Sequence, residues 1–236
     1  MKPIYEGKSK QVFDDSAPDT YRIHFKDDAT AGNGEKHDTL PGKGVLNAAI
    51  SNLLYGYLAE NDVDTHLLEV LSETDVLVRK VTVIPIEVII RNVAAGSFSK
   101  KYGVEEGSAL KSTVVEFSLK DDALGDPMLA PSHIYALGLA SDGDIARLTS
   151  QALRINELLT ALFAKCGIRL IDFKLEFGRT SDGSLILCDE ISPDSCRLWD
   201  AETNKKLDKD RFRRDLGGVL EGYADVLARL REINNE

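Results

Sequence analysis

Acidic and basic side chains alternate with apolar ones along the segment IDFKLEF. Asp172, Lys174 and Glu176 would share one side of an extended chain, because side chains alternate between the two faces of a β-strand. The pair Asp182-Gly183 follows and is typical of a hairpin turn. The pattern predicts a β-hairpin with one charged face and one apolar face.

A two-residue loop at this turn would place Glu176 directly opposite Asp189 on the returning strand. Two carboxylates in that position repel each other unless a cation or a proton lies between them. Mg²⁺ is often held by one or two carboxylates together with phosphate oxygens, so the pair is a candidate metal site. The solvated face of a half-buried hairpin would show the same alternation, and on the pattern alone both interpretations stay open.

Two other segments contain residues that could bind phosphate. EGKSK places Lys8, Ser9 and Lys10 after a glycine, which lets backbone amides approach an anion. The Walker A pattern GxxxxGK[ST] is absent, and a solvated turn is the alternative. RNVAAGS connects Arg91 at the end of a predicted strand to Ser97 at a predicted helix start, which favours an anion. A tight turn with a surface arginine is the alternative there.

Three polar segments remain. Residues 27–36, DDATAGNGEK, are predicted to form a flexible loop. SPDSCR places Asp194 and Arg197 directly after the second hairpin strand. DKDRFRRD, which contains Arg213, is a dense alternation of charges and is typical of a solvated helix face.

Composition limits the class of protein. The chain has 236 residues, of which 43% are hydrophobic and 29% are charged, as in soluble globular proteins. A formal net charge of −10 argues against nonspecific nucleic-acid binding. Three cysteines without a CxxC pair predict a reducing cytoplasmic location, no disulfide and no zinc site. No signal segment and no membrane span are expected.

The order of the predicted elements indicates an α+β fold with two lobes, at residues 1–83 and 84–236, and a cleft near residues 80–90. Helical spacing of apolar residues predicts the helices, and short apolar runs predict the strands. The predicted helices cover residues 44–60, 96–102, 142–166 and 208–233. The predicted strands cover residues 4–5, 11–13, 21–25, 67–70, 76–83 and 86–92, followed by the hairpin. Asp142 is expected to cap the third helix.

Taken together, these segments resemble the SAICAR synthetase family in its short bacterial form. The strings that carry the resemblance are YEGKSKQVF, DDATAGNGEKHD, VIPIEVIIRNVAAGSFSKKYG, DDALGDPML, LIDFKLEFG, DEISPDSCRLWD and DKDRFRRDLGG. They occur in this order between residues 5 and 218, so the resemblance covers nearly the whole chain. One departure is Cys196, where many members carry serine, which puts a hydroxyl contact at that position in doubt.

The resemblance implies a two-lobed fold related to the ATP-grasp and kinase-like folds, with antiparallel sheets flanked by helices. It implies an ATP-dependent ligase of purine biosynthesis that joins carboxyaminoimidazole ribonucleotide to L-aspartate and uses Mg²⁺. It also implies a homodimer. An acyl-phosphate intermediate follows from the chemistry, because a free carboxylate is a poor electrophile.

The resemblance also implies a role for each candidate residue. Lys8, Ser9 and Lys10 would bind the phosphates of ATP. The strand at residues 77–83 would contact the adenine ring, with Lys80 nearby. Mg²⁺ would bind Glu176 and Asp189, with Glu176 also counted among the ATP contacts. The expected substrate contacts are Arg91, Ser97, Asp194, Arg197 and Arg213, and the expected catalytic residues are Lys174 and Asp172.

Two rival functions would use the same cleft. One is a small-molecule kinase that phosphorylates a hydroxyl group, although the chain contains neither an HRD nor a DFG triplet. The other is a nucleotide-binding protein that has no catalytic turnover.

Overall fold

The computed structural model describes residues 2–32 and 34–234. Its strands, in chain order, are β1 (Tyr5–Glu6), β2 (Lys10–Asp14), β3 (Thr20–Phe25), β4 (Asp28–Ala31), β5 (Lys36–Thr39), β6 (Leu67–Val70), β7 (Asp75–Arg79), β8 (Thr82–Val93), β9 (Ala109–Leu119), β10 (Met128–Leu129), β11 (Ile168–Arg179), β12 (Leu185–Cys188) and β13 (Cys196–Asp200). Its α-helices are α1 (Lys43–Glu60), α2 (Gly96–Tyr102), α3 (Pro131–Ala136), α4 (Asp142–Lys165), α5 (Asp210–Arg213) and α6 (Val219–Asn234).

The strands form two main antiparallel sheets. The first has the order β1-β2-β3-β7-β6. The second has the order β10-β9-β8-β11-β12, and β13 pairs with β11. Strands β4 and β5 form a separate two-stranded ribbon. Antiparallel sheets with flanking helices confirm the predicted α+β class.

The alternation along β11 determines how the second sheet packs. Phe173, Leu175 and Phe177 are each about 1% exposed and belong to the main core, together with the apolar stripe of α4. The alternate residues of β11 therefore point to the opposite face of the sheet. The cap of α4 is Ser141, whose Oγ accepts a hydrogen bond from the Asp144 amide at 3.2 Å, so the prediction that Asp142 caps this helix is wrong.

The two sheets meet close to the predicted lobe boundary. The first sheet ends with β7 at Arg79, and β8 of the second sheet begins at Thr82. A boundary at residue 83 therefore falls within β8, and the division into two lobes stays a prediction. Helix α1 packs against β3 and β6 of the first sheet and against α4 and α6, so it connects the two halves.

Several predicted elements differ from the structure. The expected loop at residues 27–36 is largely the hairpin β4–β5, and Asn33 lies outside the described residues. The expected strand at residues 76–83 is two strands. The last helix is interrupted between α5 and α6, where Gly217 and Gly218 have φ angles of 67° and 61°, a left-handed conformation that stops a helix. Strands β9, β10 and β13 and helix α3 were not predicted.

The hairpin register also differs from the prediction. The Thr180 amide donates to the Ser184 carbonyl at 3.0 Å, and Gly183 has a φ of 86°. The loop therefore contains three residues, with a glycine at the left-handed position. Glu176 consequently pairs with Cys188, so the prediction that it lies directly opposite Asp189 is wrong by one residue.

Candidate active site

A cavity of about 1010 Å³ is lined by side chains from both main sheets. The first sheet contributes mainly apolar residues, including Val12, Ile23 and Val78. The second sheet contributes the charged face of β11, with Asp172 and Glu176 only 4% and 2% exposed. This charged face lines an interior space, so the interpretation of the hairpin as solvated is wrong.

Lys174 lies at the centre of a cluster of carboxylates. Its Nζ donates to Glu176 Oε1 at 2.6 Å and to Glu87 Oε1 at 2.8 Å, and it lies 3.9 Å from Asp189 Oδ2. Lys120 Nζ donates to the same Glu176 oxygen at 2.8 Å. Burial lowers the pKa of Lys174, but the surrounding carboxylates outweigh burial and hold that pKa well above its usual range. A cation thus lies between Glu176 and Asp189 despite the register difference.

Asp189 follows β12 in a left-handed conformation with a φ of 70°. The hydroxyl of Tyr55, from α1, donates to the preceding carbonyl of Cys188 at 2.8 Å. The Asp189 carboxylate accepts a hydrogen bond from Lys10 Nζ. Burial raises the pKa of Asp189, but Lys10 and Lys174 outweigh burial and lower it overall, so this group is a carboxylate at neutral pH.

The loop that contains Lys8, Ser9 and Lys10 faces the same cavity. Lys8 Nζ donates to Asp122 at 2.6 Å, and Ser9 Oγ donates to Glu190 at 3.2 Å. Lys10 Nζ also lies 3.7 Å from Glu190. This loop of the first sheet therefore contacts residues that follow strands β9 and β12 of the second sheet.

Lys80 lies apart from these residues and does not line the cavity. Its Nζ is 4.4 Å from the centre of the Tyr21 ring and 3.5 Å from Asp14. Its neighbours Arg79 and Val81 do line the cavity. The adenine contact expected of Lys80 stays a prediction.

Arginines and carboxylates alternate across the other end of the cavity. Arg91 donates to Glu116 at 2.6 Å and to Asp172 at 2.9 Å. Arg197 donates to Asp172 at 2.9 Å and to Asp210 at 3.0 Å. Each buried charge is thereby paired, which offsets the desolvation that would otherwise destabilise it.

Ser97 and Arg213 lie on either side of this chain of charges. Ser97 Oγ accepts a hydrogen bond from Arg91 at 3.1 Å. Arg213 donates to Asp210 at 2.8 Å. Asp210 is only 1% exposed, so the expectation that the charge run at residues 208–215 is simply a solvated face is wrong.

Asp194 is part of the cavity wall, although its side chain is only 4% exposed. Its Oδ2 lies 2.8 Å from Lys43 Nζ and 3.8 Å from Lys209 Nζ. Its Oδ1 accepts a hydrogen bond from the Tyr223 hydroxyl at 2.5 Å. Burial raises the pKa of Asp194, but Lys209 and Lys43 outweigh burial and lower the pKa to about 2.

Among the charged residues of the cavity wall that were not singled out from the sequence are Glu87, Lys120, Glu190 and Lys209. Glu87 could have been found, since it lies four residues before Arg91 and so shares a face of the same strand. Lys120 follows the unpredicted β9. Lys209 lies within the charge run that was interpreted as solvated.

Cys196 belongs to the core and is 2% exposed. Burial raises its pKa far above the usual range, so the thiol stays protonated. Its Sγ lies 4.0 Å from Ser195 Oγ.

The carboxylates of the cavity could supply oxygen ligands to a metal ion. Among residues 2–32 and 34–234, no three His, Cys, Asp or Glu side chains converge in a way that could hold a metal by themselves. Glu176 and Asp189 nevertheless both approach one ammonium group, and Glu190 Oε2 is buried with no hydrogen-bond partner in the described part of the chain. These oxygen donors fit a hard cation such as Mg²⁺ that also holds phosphate oxygens.

The fold and the cavity define an α+β enzyme whose site suits small molecules that carry phosphate and carboxylate groups. Residues 3–230 match the model of the SAICAR synthetase family. The chain belongs to that family, and the resemblance inferred from the sequence strings is confirmed.

Individual relatives are similar over nearly their whole length. The phosphoribosylaminoimidazole-succinocarboxamide synthase of Finegoldia magna is 53% identical over 231 residues, which cover 98% of this chain and 100% of the relative. The crystal structure of the enzyme of that name from Ehrlichia chaffeensis has a TM-score of 0.95 at 45% identity, with 98% of both chains covered. A SAICAR synthetase in complex with ADP has a TM-score of 0.93 at 43% identity, with 96% of both chains covered.

None of the helices in the described ranges combines the length and the apolar character that crossing a membrane requires.

Proposed function

We propose that this chain is the ATP-dependent ligase that joins the carboxylate of carboxyaminoimidazole ribonucleotide to the amine of L-aspartate, with release of ADP and phosphate, in purine biosynthesis. Family membership and the ADP complex of a similar protein support the proposal. The observation that carries it is the cavity itself. Glu176 and Lys174, the lysine loop of the first sheet and the paired arginines all line one space.

The phosphates of ATP are assigned to Lys8, Ser9 and Lys10. These residues belong to the first sheet and its β1–β2 loop, and they line the same cavity as Glu176 of β11 and Asp189 and Glu190, which follow β12. Their present partners are carboxylates, which a triphosphate with its cation would replace at little cost in charge. The apolar side chains of the first sheet, including Val78, suit the adenine ring.

Mg²⁺ is assigned to Glu176 and Asp189. The ion would neutralise the charge of the phosphate oxygens during transfer. Lys174 and Lys120 would then shift from the carboxylates toward the phosphate or the substrate carboxylate, because they would no longer be needed as counter-ions for Glu176.

The imidazole nucleotide is assigned to the arginine end of the cavity. Arg91 and Arg197 are held in place by Asp172, and Ser97 and Arg213 adjoin them. Pre-oriented guanidinium groups bind phosphate or carboxylate with two parallel hydrogen bonds. Asp172 would accordingly orient the arginines, and the catalytic role expected of it stays a prediction.

The reaction requires activation of a carboxylate. Attack of an amine on a free carboxylate would have to expel oxide, a very poor leaving group. Transfer of the γ-phosphoryl group to a carboxylate oxygen gives an acyl phosphate and ADP. The aspartate amine then attacks the carbonyl carbon, and phosphate leaves with the original carboxylate oxygen. Lys174 is placed to neutralise charge in both steps.

Two measurements test this proposal. ADP release should depend on the presence of both the imidazole nucleotide and L-aspartate. When the substrate carboxylate carries ¹⁸O, one labelled oxygen should appear in the released phosphate. ADP release with an unrelated hydroxyl acceptor would point to a kinase instead. ATP binding without any turnover would point to a nonenzymatic nucleotide-binding protein.

A homodimer in the cytoplasm is part of the same proposal. The family resemblance supports the dimer. Three buried cysteines without disulfide partners support a reducing compartment.

A further inference from the structure

A polar stripe lies on the buried side of α1. Lys43, Asn47 and Ser51 are spaced four residues apart, so they share one helix face, and each is at most 1% exposed. This face packs toward the segment at residues 190–194, where Ser51 Oγ accepts a hydrogen bond from the Ile191 amide at 3.3 Å. A fully buried lysine is strongly destabilising unless its charge is paired.

Asp194 supplies that pairing and connects Lys43 to the cavity. Its Oδ2 lies 2.8 Å from Lys43 Nζ and 3.8 Å from Lys209 Nζ. The backbone supports the same connection, since the Lys209 amide donates to the Pro193 carbonyl at 3.0 Å. Lys209 is thus held by the 190–194 segment through both its main chain and its side chain.

The ammonium of Lys209 retains its capacity to bind a ligand. Its side chain is 13% exposed and lines the cavity. Among the residues that the structure describes, Nζ has one ion pair, with Asp194 at 3.8 Å, which is too long for a hydrogen bond. Lys10 and Lys174, in contrast, donate hydrogen bonds to carboxylates.

The charges around Lys209 also favour an incoming anion. Burial, followed by the neighbouring Arg213 and Lys43, lowers the pKa of Lys209, against the opposing influence of Asp194 and Glu190. Because Asp194 also pairs with Lys43, it cannot fully compensate both lysines. An anion in the cavity would stabilise the ammonium form.

We infer that Lys209 binds a substrate carboxylate in the cavity, and that Lys43, acting through Asp194, is the positioning residue that fixes the Lys209 ammonium. The inference rests on the proposed ligase function, in which both acceptor substrates carry carboxylates. It also gives Asp194, a residue of the cavity wall that was predicted to contact substrate, an anchoring role through its contacts with Lys43 and Lys209.

The first test replaces Lys209 with methionine, which has a similar length but no charge. The KM of one carboxylate substrate should rise roughly ten- to hundredfold, the loss expected for a charged hydrogen bond, while the KM of ATP should stay within about twofold. A higher KM for L-aspartate would identify a carboxylate of L-aspartate as the ligand of Lys209. A higher KM for the imidazole nucleotide would identify the carboxylate of that nucleotide. Lys209→Arg should restore most of the affinity.

Lys206→Met is the matched control for this test. Lys206 is also a partly buried lysine, at 16% exposure, with a long ion pair of 3.9 Å to Glu106. It does not line the cavity, so its KM values should equal those of the wild type. Unchanged KM values for Lys209→Met, or a rise for ATP alone, would overturn the inference.

The second test removes the anchor and leaves Lys209 in place. Lys43→Met combined with Asp194→Asn removes both buried charges together and keeps an oxygen acceptor for the Tyr223 hydroxyl. The same KM should rise as in Lys209→Met. A lower melting temperature with unchanged KM values would show that the buried pair is only structural.

The wild-type assay separates the two proposals. If wild-type ADP release does not require both acceptor substrates, the proposed function fails and this inference fails with it. If wild-type release requires both, and Lys209→Met behaves like Lys206→Met, only this inference fails.

Discussion

Asp189 combines a left-handed backbone conformation with a position between two lysines. Other acidic residues in the described part of the chain also have positive φ, for example Asp62 with a φ of 61° on the surface. At Asp189 the cost of the strained backbone is offset by tertiary contacts, including the hydrogen bond from the Tyr55 hydroxyl to the preceding carbonyl of Cys188. The conformation directs the carboxylate toward Lys10 and Lys174.

Replacing Asp189 with asparagine should lower kcat by about 10²–10³-fold, because it removes a charge that the proposed Mg²⁺ site requires. The measurement is ADP release at saturating substrates and Mg²⁺. Asp62→Asn is the control, since it shares the left-handed backbone but is exposed, and it should keep full turnover. Turnover within about twofold of wild type for Asp189→Asn would rule out a ligand role.

Arg91→Ala should weaken binding of the imidazole nucleotide more than binding of ATP. Arg91 contacts Glu116, Asp172 and Ser97, and its loss removes the guanidinium partner of Glu116 and one of the two partners of Asp172. We expect the KM of the imidazole nucleotide to rise at least about tenfold. Arg22→Ala, which alters an arginine outside the cavity, should change neither KM. The reverse ranking of the two substrates would move Arg91 to the triphosphate site.

Many residues of the site could be predicted from the sequence, but few of the contacts between them could. The period-two pattern along β11 placed Asp172, Lys174 and Glu176 on one face, because that alternation follows from strand geometry alone. Their partners come from distant segments. Glu87 lies on the neighbouring strand, and Lys43 pairs with Asp194 through the packing of a helix. No local pattern encodes such contacts.

At the scale of elements, the hairpin shows how a small difference in a loop changes the pairing. The Asp182-Gly183 pair correctly indicated a turn, but Gly183 takes the left-handed position of a three-residue loop. The register therefore shifts by one residue, and Asp189 lies just beyond β12. The bend after Cys188 then returns its carboxylate to the cavity.

Gly96, at the start of α2, is predicted to be required for the position of Arg197. It has a φ of 53°, and a Cβ added there would lie 2.8 Å from Arg197 Nη1. Gly96→Ala should therefore displace the guanidinium and raise the KM of the imidazole nucleotide. Gly103→Ala is the control, because Gly103 ends the same helix with a φ of 64° and nothing lies within 4 Å of an added Cβ.

Gly103→Ala should lose about 1 kcal/mol of stability because alanine is disfavoured in the left-handed region. Gly96→Ala should lose more, because it also displaces a guanidinium that is paired with Asp172 and Asp210. Thermal unfolding checks this expectation. If both variants have the same KM for the imidazole nucleotide, Gly96 is required only for its left-handed backbone conformation and not for the position of Arg197.

The start of α4 should give a pH-dependent contribution to stability. The Asp144 carboxylate accepts hydrogen bonds from the Ser141 amide at 3.0 Å and from Arg179, and these contacts lower its pKa from 3.8 to about 2. Because the folded pKa lies below the unfolded one, this stabilisation is fully present above about pH 4 and is lost as the pH falls toward 2.

Asp144→Ala should accordingly lower the free energy of unfolding by about 1 kcal/mol at pH 7. The difference from wild type should shrink as the pH falls below about 4. Urea unfolding at several pH values measures it, with the exposed Glu157→Ala on the same helix as a control. A difference that stays constant down to pH 2 would contradict this assignment.

At the scale of the whole molecule, the α+β class could be predicted because helices and strands have short-range signatures. The apolar stripe of α4 and the alternation of β11 both reflect burial on one side. Strand β9 escaped prediction because most of its residues are exposed or only partly buried, which weakens the apolar alternation, and β10 escaped because it has only two residues. Apolar residues recur at helical spacing on both sides of Gly217 and Gly218, so the spacing predicts one helix although the two glycines interrupt it.

The family resemblance predicts a homodimer. Light scattering of the purified chain should give a mass about twice the 25.9 kDa of one chain. A mass of 25.9 kDa at every concentration would contradict it.

A crystal structure with an ATP analogue and Mg²⁺ tests the central claim most directly. The account predicts the ion between the carboxylates of Glu176 and Asp189, in contact with phosphate oxygens, with Lys10 moved from the aspartate to the triphosphate. If the nucleotide is bound and both carboxylates still contact only lysines, with the ion held elsewhere, the account is contradicted.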